Sequence, residues 1–349
     1  MKLTPKENFL MLGRGEVPEY VPFYTMMGNE YMGEACIKSL NPMVFEQNHF
    51  QDGGYDMWGV RFVADENTGA TLPEPNNFML EDINDWEKVI KFPNRHDDDF
   101  DYEMMYRKDL EERKIDRNQS AVMGMSMLMP FQQLVAFMGF TEGLCALATD
   151  PDVVSDMLNA MVDWIEPVLY KTIEYYQPDV WYMLDDTAAK GTPFFSLETY
   201  REVFLPIYRR LAKPANDRGI PIQFHNCGKC ELFVEDMIDF GVRYWDPAQE
   251  MNDLLAIKEK YKGKICLCGG WDWDSHIPHG WPDNYDEEEL RAGVRASIDK
   301  YSEGGGYAFC GGIPGRSEST IRANRIVRDE AHFYGHKIYG DPDYQYVKY

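Results

Sequence analysis

From about residue 119 onward, short apolar runs alternate with amphipathic stretches. Apolar runs of roughly four to eight residues bounded by Gly, Pro, Asn or Asp read as buried strands, and a ~3.6-residue apolar period reads as helix. Strands are therefore predicted over 120–127, 179–184, 221–226, 243–245, 264–268 and 306–310. Helical patterns lie between them, over 150–176, 197–216 and 286–302. Ser196 is the predicted N-cap of the second, with Glu198 in its first turn, where a carboxylate complements the positive helix end. Pro206 has no amide to give a helix interior, so a kink is expected there.

The first hundred or so residues read differently. Turn signals recur at Asp52-Gly53-Gly54, Asn67-Thr68-Gly69 and 73–77, leaving an irregular portion with one short helix around 81–89 and an early strand at 20–24. Six strands plus the early one approach the eight of a (β/α)8 TIM-like barrel. A doubly wound sheet is the competitor, but no G-x-G-x-x-G follows a first strand. The expected organisation is one barrel domain over 1–349, with an N-terminal portion (1–118), main βα units (119–335) and a tail (336–349).

Composition narrows the partners. Hydrophobic residues make up 44% and aromatics 14%, ample for a sizeable core. The formal net charge is −24, from 59 acidic against 35 basic residues, which disfavours nucleic acid and anionic membranes. No apolar run is long enough to span a membrane, and the N-terminal stretch lacks the apolar core of a signal peptide, so a cytoplasmic protein is expected. Seven cysteines without a secretory signal point to reduced thiols, used in packing or in metal binding.

The chemistry gathers at predicted strand ends. In PIQFHNCG, residues 221–228, His225 and Cys227 lie two apart and can point to one side. Cys310 ends the last strong strand, and in a parallel barrel all strand C-termini share one face. One imidazole and two thiolates suit zinc and leave a fourth position open, the arrangement of catalytic rather than structural sites. Ordinary burial is the alternative reading of these residues. So is a structural four-cysteine site from Cys227-x-x-Cys230 and Cys266-x-Cys268, although the second pair would sit two strands away. Cys36 and Cys145 are expected in packing. Of the adjacent Asp185 and Asp186, one should face the pocket, and Asp186 lies nearer the mouth. Asp186 could be a fourth ligand, a partner for His225 or a proton carrier, or it could simply cap a helix.

Pocket walls come from other loops. Trp271, Trp273 and His276, with His279 beyond, suit a flat organic substrate or a packed lid, and Tyr24, Met26, Met27 and Asn29 would reach the same face. Tyr24, Asn29, Trp271 and His276 are the candidate substrate contacts. Met125, Met127, Met129, Phe131 and Met138 are read as core, though 20 methionines also suit a mouldable docking surface.

The stretch 193–228 (Pro193-Phe194-Phe195-Ser196, then Pro206, then Phe224-His225-Asn226-Cys227-Gly228) resembles the uroporphyrinogen decarboxylase superfamily. Its H-x-C…C pattern is similar to that of the zinc-dependent, corrinoid-linked methyltransferases, over about 120–330. The resemblance implies zinc on His225, Cys227 and Cys310; Asp186, placed beside it by its position at a strand end, is the candidate catalytic residue. It implies methyl transfer from a small methylated donor to the Co(I) corrinoid of a partner protein. No D-x-H-x-x-G cobalamin motif occurs in this chain; Asp274-Ser275-His276 comes nearest, with His279 where the glycine belongs. The aromatic loops and Asp56-Met57-Trp58-Gly59-Val60 look similar to O-demethylase components of anaerobic one-carbon metabolism, so a methoxylated aromatic is the expected donor. Transfer from corrinoid to a thiol, methylamine or betaine donors, and a non-catalytic corrinoid-protein-binding barrel stay open, and a homodimer is compatible. The family's R-Q-A-G-R-like arginine loop has no counterpart in 24–29, which argues against decarboxylation.

Overall fold

The computed structural model describes residues 3–25, 35–42, 53–65, 71–94, 97–315 and 317–339. Seven parallel strands curl into one sheet: β1 (Ile37–Ser39), then β5 (Ala121–Met125), β6 (Val180–Leu184), β7 (Ile222–His225), β8 (Val242–Ala248), β9 (Cys266–Gly270) and β10 (Tyr307–Cys310), hydrogen-bonded in that order. The three numbers between β1 and β5 belong to a separate antiparallel sheet of β2 (Gly53–Tyr55), β3 (Arg61–Ala64) and β4 (Thr71–Pro73). Helices follow the strands of the main sheet and cover its outer face, giving a TIM-like α/β architecture. Strands buried on both faces explain why each reads as an almost unbroken apolar run.

The predicted early strand is shorter than expected. Only Phe23 bridges β10, where Phe309 donates its amide to the Pro22 carbonyl and accepts from the Tyr24 amide. Pro18 and Pro22 remove amides from this segment, so it cannot carry a longer ladder. The Cys36 thiol reaches the Phe23 carbonyl at 3.5 Å, which sets the segment between β10 and the approach to β1, in the eighth place of the ring. β1 itself is three residues with a lysine at its centre, too short to show in the apolar pattern.

The interior of the ring holds Tyr24, Ile37, Ala121, Met123, Val180, Tyr182, Tyr244, Cys266, Cys268 and Ala308. Its N-terminal end is plugged by the helix Pro5–Gly13, whose Thr4 and Glu7 form a reciprocal cap. Phe9 of that helix stacks on Tyr244, ring centroids 4.7 Å apart. The opposite end, where the strands finish, stays open.

The expected helix over 197–216 begins at the Ser196 cap but divides. Residues Leu197–Thr199 are helical, Tyr200–Phe204 form a π-turn, and Leu205–Asn216 resume the helix with Pro206 in its first turn. A proline in a first turn leaves no helical acceptor unmet, and the π-turn absorbs the break ahead of it. Among the described residues no single helix is long and apolar enough to cross a membrane.

Candidate metal centre

At the end of β6 the two aspartates part, as alternate positions of an extended chain must. Asp185 turns outward and is fully buried. Its carboxylate accepts from the amides of Phe131 (2.7 Å) and Gln132 (3.0 Å) and from the Tyr208 hydroxyl (2.7 Å), capping the helix Pro130–Met138. Asp186 turns inward. One of its oxygens accepts from the Cys227 amide at 2.9 Å and the other from Gln132 Nε2 at 2.8 Å.

Burial pushes the Asp185 carboxyl up to about 7, against the lowering effect of its three hydrogen bonds. A folded pKa above the unfolded value near ~3.9 gives stability that is full below that value and lost as pH rises through about 7. Asp185→Asn is therefore expected to flatten the fall in stability of the metal-free protein between roughly pH 4 and 7. Urea unfolding at stepped pH measures it, and an unchanged slope would contradict the assignment.

His225 ends β7 facing inward at 5% exposure, with Cys227 two residues on. His225 Nε2 lies 3.4 Å from Cys227 Sγ and 3.7 Å from Asp186 Oδ1. One ligand atom from each of Asp186, His225 and Cys227 falls within 4.8 Å of the others, the only such group of three or more among the described residues. Gly228 then turns the chain with φ +91°, and a Cβ there would stand 2.4 Å from the Ala188 carbonyl oxygen. Only glycine suits that turn.

Asp246, on β8, has no local signal in the sequence and is fully buried. It receives Gln223 Nε2 at 3.0 Å, His225 Nδ1 at 3.1 Å and the Tyr24 hydroxyl at 3.3 Å. Three donors on one carboxylate place a proton on Nδ1 and turn Nε2 toward Cys227 and Asp186. Burial pulls the His225 pKa down, but the bond and charge of Asp246, aided by Cys227, override it and hold the pKa well above its ordinary value. Burial raises the Cys227 thiol, and His225 opposes that rise.

The donor set fits a borderline-soft cation. Zinc bonds of ~2.0–2.1 Å to nitrogen and ~2.3 Å to sulfur, at a tetrahedral angle, separate the two donors by about 3.5 Å; the observed separation is 3.4 Å.

His225 and Cys227 line a cavity of about 740 Å³ at the open end of the ring, together with Tyr24 and Cys310. Cys310 stands on its wall, outside the close group of three. Trp271 (3% exposed) and Trp273 form another wall. His276 is not on the lining; its ring stacks on Trp271 at 5.2 Å and 9°, and its Nε2 meets Glu250 at 2.9 Å. Asn29, Met26 and Met27 lie outside the described residues.

The four-cysteine alternative is not assembled. Cys230 is buried with its thiol on the carbonyl oxygens of Asn226 and Cys227, while Cys266 and Cys268 pack in the ring interior. Cys36 is buried as expected, but Cys145 is exposed, because the helix Phe140–Thr149 turns that position outward.

The model of the Uroporphyrinogen decarboxylase (URO-D) family matches residues 56–321. Among solved structures, a methyltransferase from Methanosarcina mazei superposes with a TM-score of 0.61 at 13% identity, covering 95% of this chain and 99% of that one. At that identity the likeness is one of fold. A crystal structure of an uncharacterized protein, at TM-score 0.29 and 11% identity over 51% of this chain and 47% of its own, is too remote to bear on function. No curated protein matches the sequence.

Proposed function

Because this chain belongs to the uroporphyrinogen decarboxylase (URO-D) family, we propose that it is a zinc-dependent methyltransferase. It takes a methyl group from a small methylated donor, a methoxylated aromatic, and delivers it to the reduced corrinoid of a partner protein. One observation carries this reading: His225, Cys227 and Asp186 bring their ligand atoms within 4.8 Å at the strand-end cavity, with a buried carboxylate behind the histidine. The fold likeness to a methyltransferase from Methanosarcina mazei supports it.

In this reading His225 Nε2, the Cys227 sulfur and Cys310 hold the metal, and Asp186 stands beside the fourth position, which it yields to the donor. Zinc bound there supplies Lewis acidity toward the donor's departing heteroatom. The protein's own groups do the rest. Asp246 fixes the tautomer of His225, and with Tyr24 and Gln223 it locks the ring. Trp271, held flat by His276, and Trp273 offer an aromatic slot to a planar donor. Among the described residues, the basic side chains on the lining are Lys190, which pairs with Asp274, and Arg328. A polyanionic porphyrinogen would need more, so decarboxylation is disfavoured.

The test is methylation of reduced cobalamin, followed by the loss of the Co(I) spectrum, with aromatic methyl ethers set against methylamines and betaines. Turnover with aryl ethers alone is expected. Turnover only from methylcobalamin to a thiol would overturn the assigned direction and donor, and protein isolated without stoichiometric zinc would overturn the metal.

A further inference from the structure

Two loops meet across the mouth of the strand-end cavity. After β6 the chain folds back as a tight hairpin. Ala188 bridges Pro193, the Ala189 amide donates to the Thr192 carbonyl at 2.9 Å, and the Phe194 amide donates to the Thr187 carbonyl at 3.0 Å. Lys190 stands at its tip. After β9 the short helical turn Trp273–Ser275 carries Asp274. Lys190 and Asp274 both line the cavity, and their side chains form an ion pair.

Other loops at this end are tied in sequence around the ring. The Lys229 amide, past β7, donates to the Ala189 carbonyl at 2.9 Å. The Gly228 amide donates to Gln249 Oε1, past β8, at 2.7 Å, and the Glu250 amide donates to Asp272 Oδ2, past β9, at 2.6 Å. Each of these contacts joins neighbouring strand ends. The Lys190–Asp274 pair instead joins β6 to β9, with β7 and β8 between them. It cuts a chord across the mouth, past the strand ends that carry Cys227 and Gln249 on the lining.

Both backbones that carry the pair are anchored. Lys190 sits on its hairpin, and Asp274 lies between Asp272 and His276, each tied to Glu250. The contact between the two side chains is the part that can open. With Lys190 at 70% and Asp274 at 34% side-chain exposure, the pair is partly in water, where it is weak and screened by salt. A contact of that strength suits a closure that must open repeatedly.

We propose that Lys190 and Asp274 form an ionic strap over the cavity, and that a small ligand reaches the Cys227 and Cys310 sulfurs when the strap parts. The proposal goes beyond the methyl-transfer reading and does not depend on a bound metal.

Access is read by alkylation with iodoacetamide, a neutral reagent, in full-length protein treated with a chelator, and is followed cysteine by cysteine with mass spectrometry. Cys227 and Cys310 line the cavity, Cys145 is exposed, and Cys266 is fully buried in the ring interior. Lys190→Met and Asp274→Asn are each expected to speed alkylation of Cys227 and Cys310 about two- to fivefold, the effect that loss of a solvent-exposed ion pair allows. Added salt should speed wild type in the same way and leave both variants unchanged. The reversed pair, Lys190→Asp with Asp274→Lys, should restore the slow rate. Cys145 and Cys266 are the references and should not change. The two single variants alter the local charge in opposite senses, so a mere change in thiol acidity would drive their rates apart. Opposite effects would therefore overturn the strap. Equal rates in wild type and both variants would overturn it too, as would a parallel rise at Cys266, the mark of general loosening.

Discussion

Cys227→Ala is expected to leave the protein folded, remove its zinc and cut methyl transfer by about 10³-fold or more, equivalent to ~4 kcal/mol of lost transition-state stabilisation. Cys227 stands past the end of β7 and is only partly buried, so its loss opens no core cavity. Its sulfur is nevertheless the soft donor of the close group, 3.4 Å from His225 Nε2. Removing it leaves one imidazole and one carboxylate in the close group, with Cys310 as the sole remaining thiolate, a set that holds zinc more weakly. The comparison that isolates the effect is Cys266→Ala, which removes a fully buried sulfur from the ring interior. That variant should melt at lower temperature yet keep its metal. Metal analysis by mass spectrometry and the corrinoid assay on both proteins decide the matter. If Cys227→Ala retains stoichiometric zinc, the centre lies elsewhere.

The second large effect belongs to Asp246→Asn. The carboxylate accepts from three donors, whereas a carboxamide has one oxygen and turns an NH₂ toward a group that also donates. His225 then loses the acceptor that keeps the proton on Nδ1 and aims Nε2 at the cluster. A loss of about 10–100-fold in zinc affinity is expected, with the metal-free fold weakened by about 3 kcal/mol for breaking a buried charge network. The pH dependence should change in a defined sense. In wild type, the His225 pKa is raised above its unfolded value. The stability this provides is full below about pH 6.5 and fades as pH rises through the folded value. In Asp246→Asn the largest influence opposing burial is gone and only the weaker one of Cys227 remains, so that contribution should shrink, and the metal-free variant should lose less stability than wild type as pH rises from mildly acidic to neutral. Denaturant unfolding of the two metal-free proteins across pH 5–8 reads it; parallel curves would remove Asp246 from its role.

The alternation of apolar runs and amphipathic stretches determined much of this protein without help from its tertiary structure. It located six of the seven strands of the main sheet to within two or three residues and the long helices between them. That is possible because a strand or helix reports its own burial through spacing inside one segment. The same spacing brought His225 and Cys227 to one side of one strand end, and parallel topology sent Cys310 toward the same face. Two elements escaped, for different reasons. Three residues such as Ile37–Ser39 are too few to display a period, and the helix Glu318–Tyr339 carries its apolar stripe among many charges.

What only the tertiary structure decided is which side chains complete the cluster. Only its place nearer the mouth favoured Asp186 over Asp185 in the sequence; the amides at the start of the helix Pro130–Met138 claim Asp185, and the Cys227 amide holds Asp186 beside the cluster. Asp246 reads as any strand-end acid until the register of β7 against β8 sets it level with His225. His276, a candidate substrate contact by loop position, is drawn away by Glu250 and the face of Trp271. Each of these outcomes depends on a partner from another strand or loop. The periodicity of one segment cannot carry that information, because a buried carboxylate and an exposed one differ in their neighbours across the fold and not in their neighbours along the chain.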